Sequence, residues 1–535
     1  MKNRTVMKQD YATIGHANVP RSTFNLSFGH KTTFDAGYLI PHFIQEVVPG
    51  DLHRVTANCF VRLATPINPI MDSIKIEQQF FFVANRLMWD NWQPFMGEQV
   101  NPGDSTDFLI PTMEATNTAN PNWAEGTVSD YFGLPIKTTI PNGIISALPY
   151  RAMNRCWFEW YRDENLQDSP VLNTDDGPDN VSDYPLRRRG KRHDYFTSCL
   201  PWPQKGPGVD LPLGETAPVI GGGETTAPKW TNFDGSIELG SLQQENDFNV
   251  KTNPGGIYSG DMYLTTDSAE SNMIADLSEA TNATINDLRQ AFQLQKLQER
   301  DARGGTRYTE LILSHFGVRS SDQRLQRPEL LTTASMSVGI TQVPQTSGSP
   351  GDTDYTPTPQ GNLSAYGIAG GSAGFTKAFT EHGYIIGFIS ARADLTYQTG
   401  IDRHWTRSTK YDHYWPALAK IGEQAVKNRE IYATGTATDD EIFGYQERWA
   451  EMRQNLSKIT GLFRSKATAS LDAWHLSQDF DATPALNNTF IQDDPPIDRV
   501  IAVTDEPHFL LDAYFQHKAT RPLPADGAPG YIDHF

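Results

Sequence analysis

The sequence predicts a mainly β protein, an antiparallel sandwich interrupted by helical and loop insertions. Three observations carry this expectation: apolar residues alternate with polar ones in several separate segments, prolines punctuate the gaps, and the connections are too irregular for a parallel sheet with regular crossover helices. Between Arg21 and Phe28, Phe24, Leu26 and Phe28 alternate with Asn25 and Ser27, the period of a strand with one buried face. A clearer run follows, in which Val55, Ala57, Cys59, Val61 and Leu63 point one way and Thr56, Asn58 and Arg62 the other, with Phe60 breaking the polar side. Ile74, Ile76, Phe80 and Phe82 form a third strand, and later strands are expected at Met336 to Ile340 and Tyr384 to Tyr397. Pro41, Pro49, Pro66 and Pro69 fall where pairing must stop.

Helices enter as insertions. After Pro149, the residues Tyr150, Met153, Trp157, Trp160 and Tyr161 recur at helical spacing and predict a core helix with one aromatic stripe. Thr284 and Asp287 suit the start of a second helix, with Ile285, Leu288, Ala291, Phe292 and Leu294 on its apolar side and Gly304 and Gly305 at its end. Tyr308, Leu311, Ile312, His315 and Phe316 predict a third helix, stopping at Gly317, with His315 packed rather than ligating. The Tyr445 to Ile459 stretch has Trp449, Met452 and Leu456 at helical spacing, but Asn455, Ser457 and Thr460 oppose a helix, so both states stay open.

Two regions read as loops. From Pro207 to about Ala280 the chain is rich in Gly, Pro, Thr, Ser, Asp and Glu, with GGGETT at Gly221 to Thr226 and NPGG at Asn253 to Gly256. Thr341 to Gly374 is also poor in apolar residues and is expected to be loop-rich.

With 45 basic and 64 acidic residues, the formal charge is −19, so any contact with a polyanion must be local. Cys59, Cys156 and Cys199 form no CxxC pair and imply reduced thiols rather than disulfides or a zinc site. No stretch approaches the ~20 apolar residues of a membrane span, and the N-terminus lacks the apolar core of a secretory signal. Synthesis and folding in a cytoplasm are expected.

The chain offers little chemistry. GGGETT lacks the GK of a phosphate-binding loop, and there is neither a GxSxG elbow nor an HExxH helix. Asp402-Arg403-His404-Trp405 and Asp412-His413-Tyr414-Trp415 have metal-ligating residue types, but equally fit polar turns flanked by aromatics. NTDDGPDN at Asn173 to Asn180 offers oxygens to a hard cation but lacks the distal Glu of a calcium loop, so a solvated turn is expected. No catalytic residue, cofactor or metal ligand is therefore assigned. The densest basic run is Arg187, Arg188, Arg189, Lys191 and Arg192, open to phosphates, to a neighbouring subunit's carboxylates or to solvent. Lys2, Arg4 and Lys8 give the N-terminal segment a local positive charge suited to facing nucleic acid.

Several segments carry a family resemblance. FNLSFGHKTTFDAGYLIP near the start, RHDYFTSCLPWPQKG at Arg192 to Gly206 and AFQLQKLQERDARGGTRYTELILSHFGVRSSDQRLQR at Ala291 to Arg327 belong to it. So do TPQGNLSAYG, FTEHGYIIGFISARADLTYQTG, FGYQERWAEMR and the closing PGYIDHF at Pro529 to Phe535. In this order they resemble the major capsid proteins of gokushoviruses, small single-stranded DNA microviruses. The resemblance implies an eight-stranded antiparallel jelly-roll in a single capsid domain spanning 1–535. That domain divides into an N-terminal arm at 1–20, first strands with a helical insertion at 21–206, a surface protrusion at 207–284, and helices, remaining strands and C-terminal arm at 285–535. It further implies a homo-oligomeric icosahedral shell around circular single-stranded DNA, assembled in the bacterial host cytoplasm. The implied partners are a small basic DNA-binding protein, a pilot protein, a scaffolding protein and a host surface receptor reached by threefold protrusions. Subunit contacts are expected from Arg187, Arg188 and Arg189 and from the apolar anchors Tyr531, Ile532 and Phe535. The competing classes are a β-sandwich carbohydrate hydrolase, for which no motif nominates the carboxylate pair, and a monomeric β-rich adhesin.

Overall fold

The computed structural model describes residues 20–114, 123–138, 140–141, 143–209, 285–351, 357–394 and 396–525, with the backbone of five short strands between 219 and 275. The chain divides into two compact units, 1–203 with 303–535, and 204–302.

The larger unit is an antiparallel sandwich. Its first strands are β1 (Ser22–Asn25), β2 (Phe28–Phe34), β3 (Ile40–Val47), β4 (Leu52–Leu63) and β5 (Ile74–Ala84). The insertion that follows carries α1 (Trp92–Phe95), α2 (Val128–Tyr131) and α3 (Leu148–Trp160). In the smaller unit lie β6 (Val219–Gly221), β7 (Lys229–Thr231), β8 (Glu238–Ser241), β9 (Tyr263–Leu264), β10 (Met273–Ala275) and most of α4 (Ile285–Gly304). Next come α5 (Tyr308–Phe316), β11 (Glu329–Ser337), β12 (Gly339–Pro344), β13 (Leu363–Ala378) and β14 (Gly383–Ala393). A smaller hairpin of β15 (Glu423–Lys427) and β16 (Ile442–Glu447) brackets α6 (Asn428–Ile431); α7 (Asn488–Ile491) and β17 (Phe509–Arg521) complete the described chain.

One sheet has the order β1-β17-β4-β13-β12, with β2 also paired to β17; the other runs β11-β5-β14-β3. These two sheets hold six and four strands, two more than the expected eight. Part of the surplus is β1, which continues the line of β2 along the same edge of β17. Their inner faces meet through Phe43 and Phe515, with ring centroids 5.0 Å apart, and Phe80 and Phe375, at 5.6 Å. Gly387 is needed there, because a Cβ would stand 2.6 Å from the Phe80 ring and 2.8 Å from Phe43 Cβ. Gly37 has φ +80° and passes the Asp493 carbonyl so closely that a Cβ would lie 2.1 Å from its oxygen.

The second sheet is covered on its other face as well. Leu39, Phe81, Val83, Ile386 and Phe388 pack against Tyr150, Met153 and Trp157 of α3, the stripe expected from sequence. Full burial of such side chains contributes about 1.5–3 kcal/mol each before ordering entropy is subtracted.

Three expectations need correction, and one segment left open is resolved. Thr341 to Gly374 is strand at both ends: β12 and β13 pair from Gly339↔Ile368 to Pro344↔Leu363, and β13 continues along β4. Its fully buried side chains are Ala365, Ala369 and Ala373, too small to leave an apolar signature, while Tyr366, Ile368, Gly370, Ser372 and Gly374 face out. The open segment at Tyr445 to Ile459 is no α-helix. Tyr445 lies in β16, and Trp449, at φ +66°, turns into a short 3-10 helix while its indole donates to Leu418 O at 3.0 Å. Helix α4 does not bury its apolar side: Leu288, Phe292, Leu294 and Leu297 are exposed. The Asn173 to Asn180 turn is not simply solvated, because Asp179 is buried. The expected Thr284 cap, GGGETT and NPGG lie outside the described residues.

Candidate interaction surfaces

The basic run at 187–192 is an internal staple. Arg192 and Arg392 bind Glu77 through hydrogen bonds of 2.8–2.9 Å, and Arg189 stands 2.8 Å from the same carboxylate while donating to Ser390 Oγ. Burial alone would raise the Glu77 carboxyl, but the guanidiniums of Arg189, Arg392 and Arg192 outweigh it and hold the group at about 2. Arg188 pairs with Asp494 at 2.7 Å and lies over the Tyr38 ring; Arg187 lies over Trp157. Lys191 is buried, donates to Gln478 at 3.0 Å and sits over Phe490; burial draws its ammonium down to about 8. The run thus ties β5 and β14 to the segment around 478–494.

The Asp402 and Asp412 clusters are short polar turns whose aromatics Trp405, Tyr414 and Trp415 are largely exposed rather than packed. Asp412 accepts from the backbone and hydroxyl of Thr409 at 2.7 and 2.8 Å, bonds that hold its carboxyl at about 2. Asp402 borders a cavity of about 500 Å³, also lined by Tyr195, Arg403, Arg407, Glu430 and Glu451. Its carboxylates are committed: Lys458 meets Asp402 at 2.7 Å, Arg403 meets Glu430 at 3.2 Å and Arg407 meets Glu451 at 3.0 Å. Among the described residues no group of three His, Cys, Asp or Glu side chains is placed to hold a metal.

A histidine pair closes one end of the sandwich. His53 Nδ1 lies 2.8 Å from His517 Nε2, and His53 Nε2 lies 3.0 Å from Asp51, whose carboxylate also faces Arg521 at 3.3 Å. Burial lowers both imidazoles, His517 to about 4, although Asp51 partly opposes the shift at His53. A depressed histidine favours the neutral form, so stability is full above the unfolded value of 6.5 and falls as pH drops towards the folded value. In that window the His517 imidazole costs about 1.4 kcal/mol per pH unit. His517→Gln is expected to flatten the fall of the thermal midpoint between pH 7 and 5; equal slopes in variant and wild type would contradict this.

Large apolar side chains are exposed in patches. Leu109 and Ile144, 83% and 66% exposed, border an open groove with Phe95, Phe108 and Met113. Phe316 on α5 and Trp405 are 79% and 74% exposed. Patches of this kind mark surfaces that meet other macromolecules. The profile of the capsid protein (F protein) family matches residues 12–531. The chain belongs to this capsid-protein family. Similarity to the capsid protein VP1 of Bdellovibrio phage phiMH2K is 45% identity over 99% of this chain and 98% of the relative. The corresponding protein of Chlamydia phage 1 is 40% identical over 98% of both, and that of Spiroplasma virus 4 is 35% identical over 97% of both. These are gokushovirus proteins, as the sequence resemblance had it.

This capsid protein therefore resides in the virion shell. Lys2, Arg4, Lys8, Tyr531, Ile532 and Phe535 lie outside the described residues. Sequence reasoning missed Glu77, Asp179 and the Asp51–His53–His517 group, whose partners come from distant segments. The strand period that places Glu77 between the inward Ile76 and the buried Gln78 of β5 was the one available signal.

Proposed function

We propose that this major capsid protein self-assembles into a small icosahedral shell around a circular single-stranded DNA genome, with an eight-stranded jelly-roll as its wall. The observation carrying this reading is the end-to-end similarity to capsid protein VP1 of three phages. The two-sheet sandwich supports it, since a rigid block with long insertions can hold contact loops at fixed angles, as closure of a shell requires. In this reading 207–284 forms a host-facing protrusion at each threefold axis, and separation of 204–302 as its own compact unit supports that role. The arm with Lys2, Arg4 and Lys8 faces the genome, and Tyr531, Ile532 and Phe535 anchor the C-terminal arm on adjacent subunits. Of Arg187, Arg188 and Arg189, the contact role falls mainly to Arg188, which stays 24% exposed beside the open Asp494. A small basic DNA-binding protein, a pilot protein, a scaffolding protein and a bacterial surface receptor complete the partners, with assembly in the host cytoplasm.

Electron microscopy of the purified chain, co-expressed with its scaffolding partner, tests this reading. Closed particles of uniform size are expected; uniform monomers under all assembly conditions would favour the adhesin or hydrolase.

A further inference from the structure

We propose that the uncovered face of the six-stranded sheet is a binding platform for single-stranded DNA. The proposal rests on the shell reading and names the surface that would meet the genome. The sandwich is asymmetric: α3 and its neighbours cover the β11-β5-β14-β3 sheet, whereas among the described residues the other sheet's outer face carries no such layer. On β4 the exposed side is Leu52, Arg54, Thr56, Asn58, Phe60 and Arg62, and on β17 it is Leu510, Asp512, Tyr514, Gln516 and Lys518.

Charge and ring chemistry coincide there. Across the strands of this face stand four cations, Lys31, Arg54, Arg62 and Lys518, against one carboxylate, Asp512, which Lys31 already meets at 3.1 Å. On a chain of net charge −19 this is a local reversal of sign. Arg54 and Lys518 are direct cross-strand partners, and neither has an ion-pair partner among the described residues. Like charges directly opposite on an antiparallel pair repel, and a phosphate between them removes that penalty.

Further along, Phe60 is opposite Asp512 and Tyr514 opposite Asn58, so the two rings are diagonal neighbours, both 50% exposed. Diagonal neighbours lie about 7–8 Å apart, side by side rather than covering each other. The positions flanking them across the sheet are Gly370 beside Phe60 and Gly29 beside Tyr514, which leave the rings open. A Cβ at Gly370 would meet nothing within 4 Å, so the space above the strand is free. Rings in the open on a sheet, bordered by cations and by amides such as Asn58 and Gln516, hold single strands by stacking bases and neutralising phosphates. A duplex keeps its base faces stacked and cannot use the rings.

Full-length subunits titrated with fluorescent oligothymidylate, and separately scored for particle formation, test this. Phe60→Ala with Tyr514→Ala is expected to weaken binding by roughly tenfold or more with little change in salt dependence. Arg54→Gln with Lys518→Gln is expected to lower the logarithmic salt slope by about 0.7 per cation removed. The second variant should keep or raise its thermal midpoint, because it relieves repulsion; a fall would make the pair structural. Wild-type preference for single strands over duplex is also expected. Wild-type affinity in both variants overturns the proposal, as does loss of particles with DNA binding intact, which would make the face a contact between copies. Failure of the wild-type chain to form any particle would instead sink the shell reading, whatever its affinity for DNA.

Discussion

Replacing Glu77 with Ala is expected to destabilise the chain by about 3–5 kcal/mol, the largest effect of any single substitution considered for this protein. The carboxylate is the common partner of Arg189, Arg192 and Arg392, its side chain is 13% exposed, and its removal leaves three crowded guanidiniums with only the half-exposed Asp394, on Arg192, as an ion-pair partner among the described residues. Urea unfolding followed by intrinsic fluorescence reads the shift in midpoint, and an unchanged midpoint would show the staple to be dispensable. The pH dependence has a definite sign. The carboxyl is depressed from 4.5 to about 2, so its contribution is full above pH 4.5 and is lost as pH falls towards 2. Glu77→Gln should lose most of the stability and this acid dependence together.

Asp179→Ala is expected to cost nearly as much, again about 3–5 kcal/mol. Arg151 on α3 is 1% exposed and donates to Asp179 at 2.8 and 2.6 Å, to Met88 O at 3.0 Å and to Asp175 O at 2.8 Å. Asp179 also accepts from the Tyr184 hydroxyl, and that bond is lost too. Without the carboxylate, a buried guanidinium keeps only neutral partners and the weak attraction of the exposed Asp175. Because this group ties α3 to Met88 and to the 175–184 segment, protease cleavage within 85–185 should quicken in the variant; cleavage at the wild-type rate would contradict the assignment.

The sandwich was legible where large side chains alternate. The β4 run from Val55 to Leu63 and the α3 stripe of Tyr150, Met153 and Trp157 announce their elements because burial of such residues dominates their placement. Where packing uses small groups the pattern disappears, and β13, with Ala365, Ala369 and Ala373 inside, resembles a loop in sequence. Charge was harder to read than hydropathy. Arg187 to Arg192 looks like an open basic surface until the fold brings Glu77 and Asp494 to it from distant segments. Phe60 was the reverse case. It broke an otherwise polar side, and the structure places it half exposed in the middle of a cationic sheet face, where an apolar ring has no burial to explain it. Helix α4 shows the same tension, since an apolar side predicted for a core stands exposed and suits a contact surface instead.

The central claim is that copies of this chain form the wall of a closed container. An electron cryomicroscopy reconstruction of purified particles, at a resolution that traces side chains, tests it most directly. The account predicts repeated copies of the β-sandwich as the continuous wall, the six-stranded sheet's open face towards the packaged strand and the 207–284 segment outside. A wall built from another polypeptide, or a preparation in which this chain stays a lone molecule, would contradict it.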